Sequence, residues 1–308
     1  MAVYNSYDVI GTREDLQNAI WDVSPSDTPF MSSIAKVTAT NTLHEWQTDE
    51  LSAPKANARV EGADAGDGSH SPTVRLGNYT QISDEVAKVS GTNQKTDKAG
   101  RGNELDYQIV KKSLEIKTDM EFALLKNGAK VAGDGSTARQ LAGVETWIST
   151  NVNSGAGAVE ATGDGSDVRT AGTTRTFAEA QLKDVMQKCY ISGGKPSKMF
   201  LSAPLMDTFG TFDGNQTRNV DANKKAIEAA VDVYVSNFGT VMAEPSRIVN
   251  STTALVIDPS LFKVGVLREF KENELAKTGD FDKVQIITEY TLASLNEKGS
   301  GAVYDITA

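Results

Sequence analysis

The sequence predicts an α+β fold, in which helices and strands occur in blocks rather than in regular alternation. Three observations favour this class: one long helical pattern in the middle of the chain, a short helix–strand–helix passage after it, and mostly β-rich runs towards the C-terminus. The sequence contains no repeat of fixed period. A parallel sheet built from repeated strand–helix units is therefore not expected.

The first helix is predicted to begin at Thr12, which has capping-box spacing with Asp15. Apolar residues follow at helical spacing, at Leu16, Ala19, Ile20 and Val23. Pro25 and Pro29 end this helix, because each proline removes a backbone donor and disfavours helical geometry in the residue before it. The stretch "WDVSPSDTPFMSSI" is therefore predicted to be an extended strap, anchored in another surface by Trp21, Phe30, Met31 and Ile34.

Two strand-like runs, "TNTLHEWQTDEL" and "NYTQISDEVAKVSGT", flank a stretch rich in Ala, Gly, Pro, Asp and Ser. This arrangement predicts a long two-stranded hairpin with an open tip. A hairpin on its own is marginally stable in water and leaves two unpaired edges. We therefore expect it to lie on a surface, with its apolar contacts at Leu43, Trp46, Ile82, Val86 and Val89.

The longest helix is predicted from Glu104 to Asn127, with Gly128 at its C-terminal cap. At the rise of an α-helix its length would be ~36 Å, so it can act as a strut across a domain. One broad face of this helix is apolar and comprises Leu105, Ile109, Ile116, Met120, Ala123 and Leu124.

A compact α/β unit is predicted after a Gly- and Thr-rich stretch, Asn151 to Thr174, which has no periodicity and is expected to be a mobile loop. A helix is predicted from Thr176, which forms a second capping box with Glu179, and Gly193 helps to end it. The strand "SKMFLSA" and the short helix "PLMDTFGTF" follow. The remaining runs predict strands, namely "VDVYVS", "TALVID", "FKVGVL", "DKVQIITEYTLA" and "GAVYDIT".

The composition limits the classes of function. The formal net charge of −10 argues against a protein that grips nucleic-acid phosphates, because such proteins need a basic face. No segment approaches the about 18 apolar residues of a membrane span, and the N-terminus lacks a signal-peptide pattern. Cys189 is the only cysteine, so no disulfide within the chain is possible and a reducing cytosol is expected.

Three copies of "GDGS", beginning at Gly66, Gly133 and Gly163, could suggest a calcium or phosphate site. None has the alternating ligands and closing glutamate of an EF-hand. The copy at Gly133 fits a dinucleotide-binding glycine pattern, but it follows a helix rather than a strand. Tight turns are therefore the better interpretation.

Other catalytic candidates are equally weak. "HEWQT" lacks the second histidine of a zinc-protease helix, and two histidines with one cysteine cannot fill a four-ligand zinc site. Cys189 lies on an apolar helical stripe, where a thiol is usually inert. Glu115 and Asp119 form the most visible carboxylate pair, yet a solvated helix face beside Lys111 and Lys112 explains them. No catalytic, cofactor-binding or metal-binding residue is assigned.

Seven passages occur in one order along the chain: "VSPSDTPFMSSI", "EWQTDELSAP", "QISDEVAKVSGT", "FLSAPLMDTFGTF", "SNFGTV", "LVIDPS" and "LAKTGDFDKVQIITEYTL". In sequence and order they resemble the major capsid (head) proteins of tailed bacteriophages, which have the Hong Kong 97 (HK97) type of fold. Within that family the resemblance is to a subgroup with an "SPxDTPF" strap. The passages run from Val23 to Leu292, so the resemblance spans nearly the whole chain.

The resemblance implies five parts. These are an N-terminal arm at 1–37, a hairpin called the E-loop at 38–95, a peripheral (P) domain with the spine helix at 96–131, an axial (A) domain at 132–266, and a C-terminal return to the P domain at 267–308. The E-loop would lie across the neighbouring subunit, and the A domain would meet its copies around symmetry axes. The side chains expected at subunit contacts are Trp21, Phe30, Met31, Ile34, Leu43, Trp46 and Ile82.

The implied function is structural: a non-enzymatic protein, without cofactor, that self-assembles into an icosahedral head shell around phage double-stranded DNA. Its expected partners are other copies in hexamers and pentamers, with portal, scaffold and decoration proteins. It would belong to the virion capsid and be assembled in the bacterial cytoplasm, without membrane or sequence-specific DNA binding. Since the strap starts by Trp21, the scaffold is expected to be a separate protein.

Two alternatives remain open from the sequence. The first is a tail-tube or other virion subunit, a class that also carries long hairpins but usually lacks so long a helix. The second is a hydrolase that works through hidden carboxylates, for which no positioned base is visible.

Overall fold

The computed structural model of the protein describes residues 27–64, 68, 70–98, 102–212 and 233–308, so the predicted helix from Thr12 and the anchor Trp21 lie outside the described residues. Its α-helices are α1 (Pro29–Ser33), α2 (Gly91–Lys95), α3 (Glu104–Leu125), α4 (Glu179–Ile191) and α5 (Ala203–Phe209). Its strands are β1 (Ala35–Thr38), β2 (Leu43–Thr48), β3 (Val74–Tyr79), β4 (Gln81–Ser90), β5 (Val152–Asn153), β6 (Arg175–Thr176), β7 (Lys198–Leu201), β8 (Val233–Ser236), β9 (Gly239–Pro245), β10 (Thr253–Ile257), β11 (Phe262–Glu274), β12 (Phe281–Ser294), β13 (Gly301–Tyr304) and β14 (Ile306–Thr307).

One sheet has four strands in the order β1-β11-β12-β4, and α3 packs across β4 and β12. β1 runs parallel to β11, whereas the other neighbours are antiparallel. The inner face of α3 carries Ile116, Met120 and Leu124, which form one hydrophobic cluster with Ile286 and Tyr290 of β12. Helix and sheet thus bury their apolar faces against each other.

Helix α3 confirms the predicted long helix. It begins at the predicted residue, Glu104, and ends at Leu125, two residues before the predicted end. Asn103 caps its start, because the Asn103 side chain accepts hydrogen bonds from the amides of Leu105 (3.0 Å) and Asp106 (3.4 Å). Acidic residues in the first turn also suit the helix dipole. The helix ends where Lys126 takes an extended backbone conformation.

A second sheet has six strands in the order β5-β13-β10-β7-β9-β8. Every residue of β10 is buried, and its side chains alternate between two clusters. Leu255 and Ile257 belong to the cluster that contains α3, and Ala254 and Val256 belong to the cluster that contains α4 and α5. The six-stranded sheet is therefore the middle layer of the subunit.

The strap prediction is wrong at its C-terminal end. Pro29–Ser33 forms α1, and Pro29 suits the first turn because that position needs no backbone donor. Phe30 is fully buried in the chain's own core, edge-on to Phe200 at 5.6 Å between ring centroids. The next residues, Ala35–Thr38, form β1 within the four-stranded sheet. The part of the predicted arm before residue 27 lies outside the described residues.

The predicted hairpin is present but shorter than expected. β2 pairs with β3 in antiparallel register, from Leu43 opposite Tyr79 to Thr48 opposite Val74. β4, which we expected in the same hairpin, pairs with β12 instead. Thr80 alone separates β3 from β4, and its amide donates to the carbonyl of Thr42 at 2.8 Å. One continuous strand-like pattern thus serves two different sheets.

The stretch 151–174, predicted to be a loop without periodicity, is largely irregular, but several of its residues are packed into the subunit. It begins with β5, parallel to β13, and Val159 and Thr170 form an antiparallel bridge. Arg169 is buried. The predicted start of α4 is also wrong, because Thr176 belongs to β6 and pairs with β14, so the helix begins at Glu179.

The C-terminal strands, expected to return to the P domain from residue 267, divide between the sheets of the structure. β11 and β12 join the four-stranded sheet, whereas β13 inserts between β5 and β10, and β14 pairs with β6. β9, which the sequence analysis did not include, lies between β7 and β8. Within the described ranges, no helix has both the length and the apolarity needed to cross a membrane.

Candidate assembly surfaces

The hairpin formed by β2 and β3 is fixed at its base to its own subunit. Trp46 packs against Trp147 with 5.3 Å between ring centroids. Asn78 is fully buried; its Nδ2 donates to the carbonyls of Ala142 (3.1 Å) and Leu292 (2.8 Å), and its Oδ1 accepts from the Ala142 amide (2.9 Å). A buried amide bonded on both of its atoms holds the base in one position.

Lys130, which belongs to neither strand of the hairpin, supports the same base. Lys130 Nζ donates to the carbonyl of Gly77 in β3 (2.9 Å) and to that of Asp164 (2.7 Å). Asp164 lies in the third "GDGS" turn, in which Gly163 and Gly165 have left-handed backbone conformations with φ of +81° and +74°. This turn therefore positions the carbonyl oxygen of Asp164 to accept the hydrogen bond from Lys130.

The "GDGS" copy at Gly133 is also a tight turn, as predicted. Gly133 has a φ of +71°. The Asp134 carboxylate accepts from the amides of Ser136 (2.7 Å) and Thr137 (2.6 Å), and these hydrogen bonds lower the pKa of Asp134 to about 2. The copy at Gly66 falls largely outside the described residues.

Beyond its base the hairpin is exposed. The described residues between β2 and β3 form no helix or strand, and Leu51 and Val60 are 100% and 81% exposed. Val74, at the start of β3, is exposed as well. The subunit by itself leaves this apolar surface in water.

Two further surfaces carry exposed apolar side chains. On the outer side of α3 these are Val110, Leu114 and Phe122. At the edge of the six-stranded sheet, Val235 of the edge strand β8 and Met242 of β9 are exposed. Among the described residues β8 is the last strand of this sheet, and a sheet edge with apolar side chains is a ready surface for association with another chain.

Helix α1 is held by a buried carboxylate that the sequence analysis missed. Glu121 of α3 is fully buried, and its two oxygens accept from the amides of Phe30 and Met31, each at 2.8 Å. Burial raises the pKa of Glu121 to about 7, although the two amide hydrogen bonds act in the opposite direction. The sequence signal is its place beside Met120 and Leu124 on the apolar side of the helix.

The residues expected at subunit contacts lie in different environments. Phe30 and Ile34 are buried in the core of their own chain, so they have no free surface for a neighbour; for them the expectation is corrected. Met31, Leu43 and Trp46 are partly buried. Ile82 is nearly half exposed. Trp21 lies outside the described residues.

The catalytic candidates are structural. His44 lies on strand β2, not on a helix. Cys189 is buried, and burial raises its pKa to about 12, so the thiolate is scarce at neutral pH. Glu115 pairs with Lys112 at 2.6 Å, and burial followed by the charges of Glu85 and Glu115 raises the pKa of Asp119. No cluster of three potential metal ligands occurs in the described part of the chain.

Comparison with known structures shows that the fold is that of phage capsid subunits. The chain superposes on the capsid asymmetric unit of cyanophage A-1(L) with a TM-score of 0.68 and 10% identity, covering 99% of each chain. It superposes on a chain of Mycobacterium phage Bobi with a TM-score of 0.65 and 11% identity, covering 98% of this chain and 99% of that one. Superposition on a chain from the capsid of a native GTA particle gives a TM-score of 0.61 and 12% identity, covering 98% of this chain and 97% of that one.

The chain belongs to the SU10 major capsid protein family, whose model matches residues 3–307. It is also 29% identical to the major capsid protein of Escherichia phage Phieco32, over 98% of this chain and 96% of that protein. The protein is therefore a structural subunit of a phage capsid that self-assembles into a shell, and it is not an enzyme. This finding decides against the tail-tube and hydrolase alternatives.

Proposed function

We propose that the hairpin of β2 and β3 reaches across a neighbouring copy of the chain, and that copies joined in this way form the hexamers and pentamers of the head. The observation that supports this most directly is the contrast within the hairpin. Its base is fixed by Trp46 and Asn78, whereas its distal loop is exposed. A fixed base aims the loop at the same place on each neighbour, which lowers the entropic cost of association.

The described residues proposed as contacts between subunits are ones whose side chains the single subunit leaves at least partly exposed. We propose that Ile82, which is nearly half exposed, and Met31, Leu43 and Trp46, through the part of each side chain that its own subunit leaves uncovered, pack against neighbouring subunits. Trp21, outside the described residues, is proposed as a further contact. Each contact is modest, but closed symmetry repeats it many times in one particle.

The shell is proposed to enclose double-stranded DNA without recognising its sequence. The net charge of −10 supports confinement rather than tight binding, because a surface that grips DNA releases counterions through many lysines and arginines. Portal, scaffold and decoration proteins are the further partners we propose, with assembly in the bacterial cytoplasm.

We also propose that the chain belongs to the subgroup with an "SPxDTPF" strap, which its own "SPSDTPF" supports. In the terms of that fold, α3 and the four-stranded sheet would form the P domain. The six-stranded sheet with α4 and α5 would form the A domain, including β13. The E-loop would be confined to residues 43–79.

Shortening the hairpin tests the proposal. Residues 52–72 are replaced by a short Gly/Ser turn, which keeps both β2 and β3. We expect a folded protein with an unchanged melting temperature, since the distal loop contributes little to the subunit core, but no closed shells by negative-stain electron microscopy. Closed shells of normal size from the shortened chain would refute the role of the hairpin.

A full-length control separates chain length from side-chain contact. The double variant Leu51→Ser and Val60→Ser keeps the loop but removes its two most exposed apolar side chains. Fewer closed shells are expected from this variant than from Lys55→Ala, which alters a charged side chain in the same loop.

A further inference from the structure

One side of α3 is covered at one end and exposed at the other. Four residues at spacings of four, three and four positions lie along this side, namely Val110, Leu114, Lys117 and Glu121. Glu121 is fully buried, and its two oxygens accept from two amides of α1, each at 2.8 Å. Val110 and Leu114, by contrast, are 61% and 42% exposed. Helix α1 therefore covers the C-terminal end of this side, and the described part of the chain leaves the N-terminal end in water.

A groove borders the same side of α3. Lys117 of α3 lines it together with Val264 and Val266 of β11, and α1 contributes Met31. Because Lys117 belongs to both, the exposed side of α3 and the groove form one continuous surface next to α1. This surface therefore lies beside the point at which the described chain begins, at Asp27.

Basic side chains outnumber acidic ones at this surface. Among the described residues that line the groove, Lys36 and Lys117 are basic and Glu269 is acidic. Opposite charges at the margin of an apolar contact favour the matching partner and its orientation. The surface therefore fits a segment that is apolar on one side and carries an excess of acidic residues.

The segment that leads into α1 has this composition. Residues 12–23 lie outside the described residues, and their sequence predicts a helix whose apolar positions share one side. The apolar positions are Leu16, Ala19, Ile20 and Val23. The charged residues of the same segment are three acids and one base, namely Glu14, Asp15, Asp22 and Arg13.

The length of the segment and its connection to α1 also fit. A helix formed by residues 12–23 would be about 18 Å long, and the distance along α3 from Val110 to Glu121 is about 17 Å. Pro25 ends the predicted helix, and residues 24–28 connect it to α1. Since these connecting residues span up to about 17 Å, the segment can reach this side of α3 in its own chain. The tether also gives it a higher effective concentration there than the same segment of a neighbour.

We propose that residues 12–23 dock as a helix on α3 of their own chain, where they cover Val110, Leu114 and the α3 margin of the groove at Lys117. Trp21 lies about 140° from Leu16 around such a helix, so it faces away from α3. Helix α3 thus holds Trp21 in a fixed position before assembly, which lowers the entropic cost of a contact with a neighbour. This last role rests on the contact proposed above for Trp21, whereas the docking itself does not.

Photo-crosslinking in the full-length protein tests the docking site and its occupant. A benzophenone amino acid replaces Leu114, and heavy-isotope-labelled and unlabelled chains are mixed in equal amounts before assembly. Mass spectrometry should find position 114 joined to residues 12–23, with both peptides in the same isotopic form. The benzophenone amino acid at Asp119 is the matched control, because Asp119 is exposed but lies about 140° from Leu114 around α3, and it should give no such product.

Each other crosslinking result overturns the proposal in a distinct way. Products of mixed isotopic form would assign residues 12–23 to a neighbouring subunit. Products that join position 114 to the hairpin loop would assign this side of α3 to the hairpin, whose proposed role would then stand without the docked helix. The absence of any product with residues 12–23 would mean that the segment does not dock here.

Thiol labelling provides a second measurement. Leu114→Cys introduces a reactive position, since the native Cys189 is buried. Adding Leu16→Asp and Ile20→Asp should undock the segment and raise the labelling rate about tenfold. Asn18→Asp also adds an acid, but on the other side of the predicted helix, and should leave the rate unchanged. Equal labelling rates with and without the two aspartates on the apolar side would refute the docking.

Discussion

Arg169 and Asp305 form a two-bonded ion pair inside the subunit. Arg169 Nη2 donates to Asp305 Oδ2 at 2.8 Å and Nη1 donates to Oδ1 at 3.2 Å, with both side chains buried. The pair joins the Gly-rich stretch to the C-terminal strands, and the Gly155 amide also donates to Asp305 at 3.1 Å. Burial alone would raise the pKa of Asp305, but these hydrogen bonds lower it below its ordinary value.

Breaking this pair should be strongly destabilising. Arg169→Ala leaves a buried carboxylate without its cation, so we expect a loss of about 3–5 kcal/mol in the free energy of unfolding, measured by urea denaturation. Lys183→Ala is the matched control, because Lys183 pairs with Glu179 on the surface of α4 at 2.9 Å, and its loss should cost under about 1 kcal/mol. Equal effects of the two substitutions would contradict this assignment.

A glycine in the same stretch should be sensitive to a single added carbon. A Cβ on Gly155 would lie 2.0 Å from the carbonyl oxygen of Thr173, so the backbone must shift. Gly155→Ala is expected to destabilise the subunit by about 1–3 kcal/mol in thermal unfolding. Gly135→Ala, where nothing lies within 4 Å, should change stability little. If the two variants melt alike, the stretch is not packed as described.

Trp46 is expected to affect shell assembly, because its contact with Trp147 fixes the position of the hairpin. Trp46→Ala removes the contact with Trp147 and should lower the free energy of unfolding by about 1.5–3 kcal/mol. Because the base of the hairpin would lose its fixed direction, fewer closed shells are expected by electron microscopy. Gln47→Ala, an exposed neighbour on the same strand, should leave both measurements near wild type. Normal shell yield from Trp46→Ala would argue against a fixed base.

Stability should depend on pH through Glu145. Burial raises the pKa of Glu145 to about 7, and the charge of Arg169 acts in the opposite direction. The protonated carboxyl therefore contributes fully to stability at pH values below its ordinary pKa of 4.5. This contribution is lost as pH rises through 7. The difference in the free energy of unfolding between Glu145→Gln and wild type, measured by urea denaturation, should shift in favour of the variant by on the order of 2 kcal/mol between pH 5 and pH 8. Parallel pH profiles would exclude this effect.

The single thiol should report on unfolding. Cys189 is buried in α4, and its pKa of about 12 leaves almost no thiolate at pH 8. A thiol reagent should not label the native protein at that pH on the timescale on which it labels the protein in urea. Rapid labelling of the native subunit would mean that α4 opens readily.

Several elements follow from local pattern alone. The periodicity and the C-terminal glycine predicted α3, and the passage "SKMFLSAPLMDTFGTF" predicted β7 and α5. These patterns are local, because helix spacing and turn chemistry involve residues a few positions apart. The pairing of β4 with β12 could not be predicted in this way, since β3 and β4 form one continuous pattern along the chain.

The sequence by itself determined the α+β class, the long helix, the existence of an exposed hairpin and, through the resemblance, the capsid family. Only the tertiary structure decided which sheet each strand joins, that Phe30 belongs to its own core, and that Glu121 and Arg169 are buried. The physical reason is distance along the chain. Contacts such as Glu121 to Phe30 and Arg169 to Asp305 join residues far apart in sequence, and no local periodicity encodes their meeting.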